Sequence, residues 1–340
     1  MNVTTVDAEA ARTTRNLFVA SIVLLAVVVL IGWLSERYYY NFFLGPFPKS
    51  QGKLEAIENP GEESEYFVVV SGDTLFNTGY TQVEKQMDKY TDRVRSEKTV
   101  GYYMVLLVHN RLLIVMADRP EYVTRFEGRL TALPVDVRNG VIGPTSENIK
   151  AAFVPFMLDA TGFRGDGIAG LVVIIPLILV AVWGLILVAR RSSNASVHPI
   201  YKRLAPFGDP MTVAGSIDTE LRNQPADALP KCRLTLGWLI VPRLFRTDFI
   251  RLQDLLWMYL KRVKHSVNFI PAGSSYSAVL LTRSGRKFEI GSTEKGVNSI
   301  LSGVHQRTPW IVTGYTKDLD RLFRNDLQRF IEQVEQRKAP

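Results

Sequence analysis

The side chains that recur in groups in this 340-residue chain are cations, and few others sit where they could do covalent chemistry. The four histidines, His109, His198, His265 and His305, are far apart, and Cys232 is the single cysteine. No CxxC or HExxH spacing occurs, so the sequence offers no metal-ligand set, and one cysteine excludes an intramolecular disulfide. A Gly-x-Ser-x-Gly elbow, a Gly-x-x-x-x-Gly-Lys phosphate loop and a Gly-x-Gly-x-x-Gly turn are all absent, so no catalytic residue and no cofactor is assigned. Arg164-Gly165-Asp166 reads as a polar turn. What remains is positive charge: 41 Lys+Arg against 33 Asp+Glu, a net of +8. Lys202, Arg203, Arg243, Arg246, Lys261, Arg262 and Lys264 are the residues expected to contact anionic groups. The run Lys261-Arg262-Val263-Lys264 is the densest, although alternation along a strand puts Lys261 on one side and Arg262 and Lys264 on the other.

Two apolar runs must position those cations. Leu17 to Leu34 and Ile168 to Ala189 contain no charged residue. A hydrocarbon core roughly 30 Å thick needs about 20 apolar residues in a helix, so each run reads as a transmembrane helix. The first run is too long for a signal-peptide core and is followed by the aromatic cluster Tyr38-Tyr39-Tyr40, which suits the headgroup level. Pro176 is read as a tolerated bend. Arg12 and Arg15 precede the first run, and Arg190, Arg191, Lys202 and Arg203 follow the second, which predicts cytoplasmic termini. Charge divides accordingly. Residues 35–167 hold 15 Lys+Arg against 18 Asp+Glu, and residues 190–340 hold 24 against 13. A basic domain tethered to an anionic leaflet gains about 1 kcal/mol per cation near the headgroups, which favours lipid over nucleic acid as its partner. Neither run contains Gly-x-x-x-Gly, so glycine-mediated dimer packing is not indicated.

The expected organisation is a cytoplasmic tail (1–16), transmembrane helix 1 (17–34), an extracytoplasmic α+β domain (35–167), transmembrane helix 2 (168–189), juxtamembrane helices and linker (190–230), and a cytoplasmic domain (231–340). In the outer domain, Tyr66–Ser71 reads as a strand, and Gly101–Ala117 as a hairpin about His109-Asn110-Arg111. Phe126–Val137 reads as further strand, with Gly128 marking a bulge or tight bend. Val83–Glu97 is a short helix or a long strand, and Asn148–Leu158 is expected to be a helix. The stretch Tyr66–Leu75 resembles the opening of a LysM module but departs from it at Gly79; a strand and a turn at Gly72-Asp73 account for it.

Beyond the second run, His198–Ala205 and Pro210–Arg222 read as helices, with Tyr201, Lys202 and Arg203 placed on headgroups. Candidate strands are Arg233–Val241, Phe245–Leu252, Leu255–His265, and a hairpin of Ser274–Arg283 with Arg286–Ile290 about Ser284-Gly285. Thr293–Gln306 reads as a helix, Trp310–Thr313 as a strand, and Thr316–Lys338 as one long helix with an apolar stripe from Leu319 to Val334. The order His198-Pro199-Ile200-Tyr201-Lys202, Gly208-Asp209-Pro210, Ile217-Asp218-x-Glu220-Leu221, Trp238-Leu239-Ile240, Asp254 to Tyr259 and Gly314-Tyr315 resembles an uncharacterised family of bacterial two-pass membrane proteins. The resemblance implies a pleckstrin-homology-like cytoplasmic domain and no activity.

The sequence therefore predicts an integral protein of the bacterial cell (inner) membrane that is not an enzyme. It would be a binding or scaffold protein whose partners are anionic lipids and a membrane protein, with no nucleic acid and with homo-oligomers left open. The rivals are a subunit of a larger transport or secretion complex, and an enzyme with its site around Asp73, His109 and Arg111.

Overall fold

The structure, a computed structural model, describes residues 4–87, 94–194, 197–223, 226–267 and 270–338. Its contacts divide into two units, residues 24–179 (the sheet unit) and residues up to 23 with 180 onward (the basic unit). Among the described residues, two helices are long and apolar enough to cross a membrane, α1 (Thr5–Leu34) and α6 (Phe163–Ser193). Only 6% and 11% of their apolar windows are buried, unlike the core helix of a soluble protein.

In the sheet unit, α2 (Glu36–Leu44) leads to β1 (Phe47–Pro48) and the helical turn α3 (Gln51–Glu55). The strands β2 (Phe67–Ser71), β3 (Thr74–Met87), β4 (Val94–Val108), β5 (Arg111–Ala117) and β6 (Arg125–Ala132) follow. After the turns α4 (Val135–Val137) and α5 (Glu147–Lys150), β7 (Phe153–Asp159) completes a seven-stranded sheet of order β1-β2-β6-β7-β5-β4-β3. The hairpin at His109-Asn110 and the turn at Gly72-Asp73 form where expected, and β3 runs where a LysM module would continue as helix. The described parts of Val83–Glu97 are strand; residues 88–93 lie outside the described residues.

The helix expected over Asn148–Leu158 is instead mostly β7. Val154, Phe156 and Leu158 enter one core with Val68, Leu106 and Leu113, while Met157 enters another with Tyr103 and Ile114. A strand buried on both faces shows no polar alternation, and its short apolar run is easily read as helix. Gly128 sits in regular pairing with Val68 rather than at a bulge. It is small because a Cβ there would lie 2.5 Å from the Asp159 carbonyl oxygen.

The basic unit continues with α7 (Pro199–Leu204), α8 (Pro210–Asn223), β8 (Asp227–Leu229), β9 (Cys232–Leu234), β10 (Trp238–Pro242) and β11 (Thr247–Arg251). Then come β12 (Leu255–Val267), β13 (Ile270–Thr282), β14 (Lys287–Ser292), α9 (Glu294–Arg307), β15 (Val312–Thr313), α10 (Lys317–Asn325) and α11 (Leu327–Lys338). Among the described residues these form two four-stranded sheets, β11-β10-β9-β8 and β14-β13-β12-β15, the last pair parallel. Leu239, Val241 and Ile250 of the first share a core with Met258, Leu280 and Ile290 of the second, and with Val297, Ile300 and Val304 of α9. The apolar stripe of α10 and α11 packs on the other face of the second sheet, against Trp257, Tyr259, Val279 and Leu281.

Three expectations change here. Arg233–Val241 is two strands, because Thr235 closes a turn onto Trp238 (N–H to carbonyl, 2.8 Å). The C-terminal helix is broken at Asp326, whose side chain caps α11 by accepting from Arg329 N at 3.1 Å. The N-terminal segment is no free tail. It is the first turns of α1, and Val6, Glu9 and Thr13, at helical spacing, are buried. Val6 shares a core with Ile200, Leu204, Ile217, Trp238 and Phe249.

Candidate functional site

The start of α1 is tied into the basic unit by polar contacts as well as packing. Thr5 donates through N–H and hydroxyl to Asp218 (2.8 and 2.9 Å), and the Tyr201 hydroxyl donates to Asp7. Tyr201 is therefore buried against α1 rather than lying on headgroups. Burial and the Asp7 carboxylate both hold its phenol above the usual range. Arg12 donates to the Arg243 carbonyl oxygen at 3.1 Å, and Asn16 to the Leu244 carbonyl oxygen at 2.9 Å. The β10–β11 loop, residues 243–246, is thus fixed beside the last polar turn of α1, immediately before Leu17. At its tip Leu244 and Phe245 are 63% and 43% exposed.

Behind this loop opens a cleft of about 760 Å³. Its walls are α7, the β10–β11 loop and the turn between β13 and β14. Asp248, 4% exposed, organises one side. It accepts from Arg203 at 3.1 Å and from Arg243 at 2.9 Å, and pairs with Arg246 at 3.4 Å. Arg243 also donates to the Glu289 carbonyl oxygen at 2.9 Å. One carboxylate facing three guanidiniums leaves positive charge uncompensated. Arg203 registers this: burial pushes its pKa down, Asp248 opposes the shift, and Arg246, Arg286 and Arg243 add to it.

The other side is the β13–β14 turn. Gly285 adopts φ +74, the left-handed region that favours glycine. Gly285 N donates to the Thr282 carbonyl oxygen (2.9 Å) and Thr282 N to that of Arg286 (3.0 Å). Arg251, Arg283, Arg286 and Lys287 line this side. Arg283 pairs with Glu335, whereas Arg286 is exposed and its guanidinium makes no hydrogen bond or ion pair among the described residues. Seven cations and three carboxylates (Asp248, Asp254, Glu289) line the cleft. Asp254 pairs with neither Arg251 nor Arg262; its backbone carbonyl oxygen accepts from Arg283 N at 2.8 Å.

Of the residues singled out in the sequence, the structure gathers Arg203, Arg243 and Arg246 here. Lys261 lies beside the cleft, held by Glu289 at 3.1 Å. Arg262 turns elsewhere, with its guanidinium 5.5 Å from the Tyr276 ring centre and its Nε donating to Ser274. Lys264 and Lys202 are exposed outside the cleft lining. Arg251, Arg283, Arg286 and Lys287 were missed, although the signal was in print: Arg283-Ser284-Gly285-Arg286-Lys287 places three cations around a two-residue turn.

In the sheet unit, no hydrogen bond or ion pair joins the side chains of Asp73, His109 and Arg111 to one another among the described residues. Asp73 accepts from the His109 backbone N at 2.9 Å, holding the hairpin turn. Arg111 pairs with Glu55 at 3.2 Å and donates to the Ala151 carbonyl oxygen at 2.8 Å.

A family model described as a domain of unknown function (DUF6709) matches residues 226–323, which include both four-stranded sheets and every cleft residue except those of the α7 region. No curated protein and no solved structure matches the chain.

Proposed function

We propose that this chain is a non-enzymatic, two-pass membrane protein with both termini in the cytoplasm, and that its basic unit binds anionic lipid headgroups. The observation that carries this reading is the attachment of the Arg243–Arg246 loop to Arg12 and Asn16. If α1 enters the bilayer at Leu17, that loop stands at headgroup height. It then presents an apolar tip, Leu244 and Phe245, beside an arginine-rich cleft. Apolar side chains that enter the interface next to cations that meet phosphates are the usual composition of a peripheral membrane contact. The antiparallel strands and helical C-terminus support a pleckstrin-homology-like architecture, in which α9 rather than the last helix fills the inner side of the second sheet.

The test is calorimetric titration of the full-length protein in neutral detergent with a short-chain phosphatidylglycerol and, separately, a short-chain phosphatidylcholine. Binding should be confined to the anionic lipid and should weaken as salt shortens the Debye length from about 10 Å at 0.1 M to about 3 Å at 1 M. Combined Arg251→Gln, Arg286→Gln and Lys287→Gln should weaken it at least tenfold, more than Arg262→Gln with Lys264→Gln. Equal binding of both lipids, or of neither, would reject the reading.

A further inference from the structure

A second basic cavity lies on a different side of α1. It has a volume of about 540 Å³ and is formed by the starting turns of α1, the last turns of α6 and α7. Ala10, Ala11, Phe18 and Val188 make an apolar wall, and Arg15 and Arg191 supply two cations. Arg15 is exposed and makes no hydrogen bond or ion pair among the described residues. The Nη1 atom of Arg191 is buried and has no hydrogen-bond partner among the described residues. A buried guanidinium nitrogen left unpaired costs more than an ordinary lost hydrogen bond, so it points to a missing acceptor. Asp7, the carboxylate in this lining, already accepts from the Tyr201 hydroxyl and the Thr4 backbone N.

We propose that this cavity holds the phosphate of an anionic phospholipid, clamped between Arg191 and Arg15, with the rest of the lipid rising along Phe18 and Val188. The inference rests on the reading of α1 and α6 as membrane spans. Arg191 follows the apolar run of α6 within two residues of Ala189, and Arg15 precedes that of α1 by two, so both guanidiniums stand where a phosphate plane would lie. A guanidinium presents its donors as a planar fork matched to phosphate oxygens. The volume is that of a small-molecule site and exceeds what a lone inorganic anion fills. Its mixed lining, apolar on one side and cationic on the other, suits a lipid rather than a fully hydrated ion.

The experiment is native mass spectrometry of the full-length protein in neutral detergent, titrated with phosphatidylglycerol, phosphatidylcholine or inorganic phosphate. Phosphatidylglycerol should be retained by the parent chain and at least tenfold more weakly by Arg191→Gln. Ala11→Trp, which keeps both guanidiniums and fills the cavity, should show the same loss. The modification rate of the buried Cys232 thiol identifies variants that fail to fold. The triple cleft variant (Arg251→Gln, Arg286→Gln, Lys287→Gln) should keep the retained lipid, which separates failure here from failure of the cleft reading. Retention unchanged in both Arg191→Gln and Ala11→Trp would overturn the proposal. So would inorganic phosphate displacing the lipid at equal concentration, which would make the site one for a free anion.

Discussion

Phe330→Ala measures how far the C-terminal helices hold the basic unit together. Phe330 is 1% exposed; its ring centre is 5.9 Å from that of Trp257 and 5.3 Å from that of Phe323, the latter edge-on. Truncating a buried Phe costs about 3–5 kcal/mol, and loss of the edge-on pair, worth roughly 0.5–1.5, argues for the upper half of that range. Set against a typical stability of about 5–15 kcal/mol, this is a large fraction. The reporter is built in. Cys232, the single cysteine, is 4% exposed in the core between the two sheets, and burial pushes its thiol pKa up to about 11. Its modification in full-length protein therefore requires opening of the unit, and with fast reclosing the rate follows the open population. At about 1.4 kcal/mol per tenfold, Phe330→Ala should speed modification roughly 700- to 4,000-fold. Phe330→Leu, which keeps most of the volume, should have a much smaller effect. A rate for Phe330→Ala within twofold of the parent would refute the reasoning and mean that α10 and α11 add nothing to the fold that buries Cys232.

Other outcomes follow from single contacts. His198 Nδ1 accepts from Ile200 N at 3.2 Å, and burial, with Arg191 and Arg203 adding to it, pushes its pKa down to about 4. The unfolded chain protonates near pH 6.5 and the folded chain only near 4, so stability should be level above 6.5 and fall by up to about 1.4 kcal/mol per pH unit below it. Thermal melts at pH 7.5, 6 and 5 check this, and a His198→Asn variant with the same slope would contradict it. A Cβ at Gly184 would collide with the Ser21 hydroxyl of α1, whereas Gly32 has open space around it. Gly184→Leu should therefore lower the melting temperature in detergent by several degrees and Gly32→Leu should not, with equal effects counting against the helix contact. Gly128→Ala should destabilise the sheet unit by about 1–3 kcal/mol in a denaturant titration because the Asp159 backbone has no room to yield.

Periodicity made most of the elements legible. Thr293 caps α9 by accepting from Gly296 N, Pro199 opens α7, and the hairpins turn at His109-Asn110 and Ser284-Gly285, where local chemistry decides. What failed was non-local. β7 reads as helix until one knows that both its faces are covered. The role of residues 5–16 depends on Val6, Glu9 and Thr13 meeting α7 and the first sheet, contacts more than 180 residues away in sequence. The candidate cleft was half legible for the same reason. Arg203, Arg243 and Arg246 were named from charge alone, but Asp248, which gathers them, has no sequence signature. The dense run at Lys261–Lys264 drew weight that belonged to the turn at Arg283–Lys287, because strand alternation and the Glu289 pair divide that run among separate surroundings.

The central claim is that the cleft and its apolar tip rest on an anionic membrane surface. The most direct measurement places a fluorophore on a cysteine replacing Ser284, in a Cys232→Ser background, and reads energy transfer to headgroup-labelled lipid. The full-length protein would be held in nanodiscs with or without phosphatidylglycerol. Transfer should be high only with the anionic lipid, should drop in 1 M salt, and should fall to the zwitterionic level when Arg251, Arg286 and Lys287 become Gln. The same transfer in anionic and zwitterionic nanodiscs, unmoved by salt, would contradict the account.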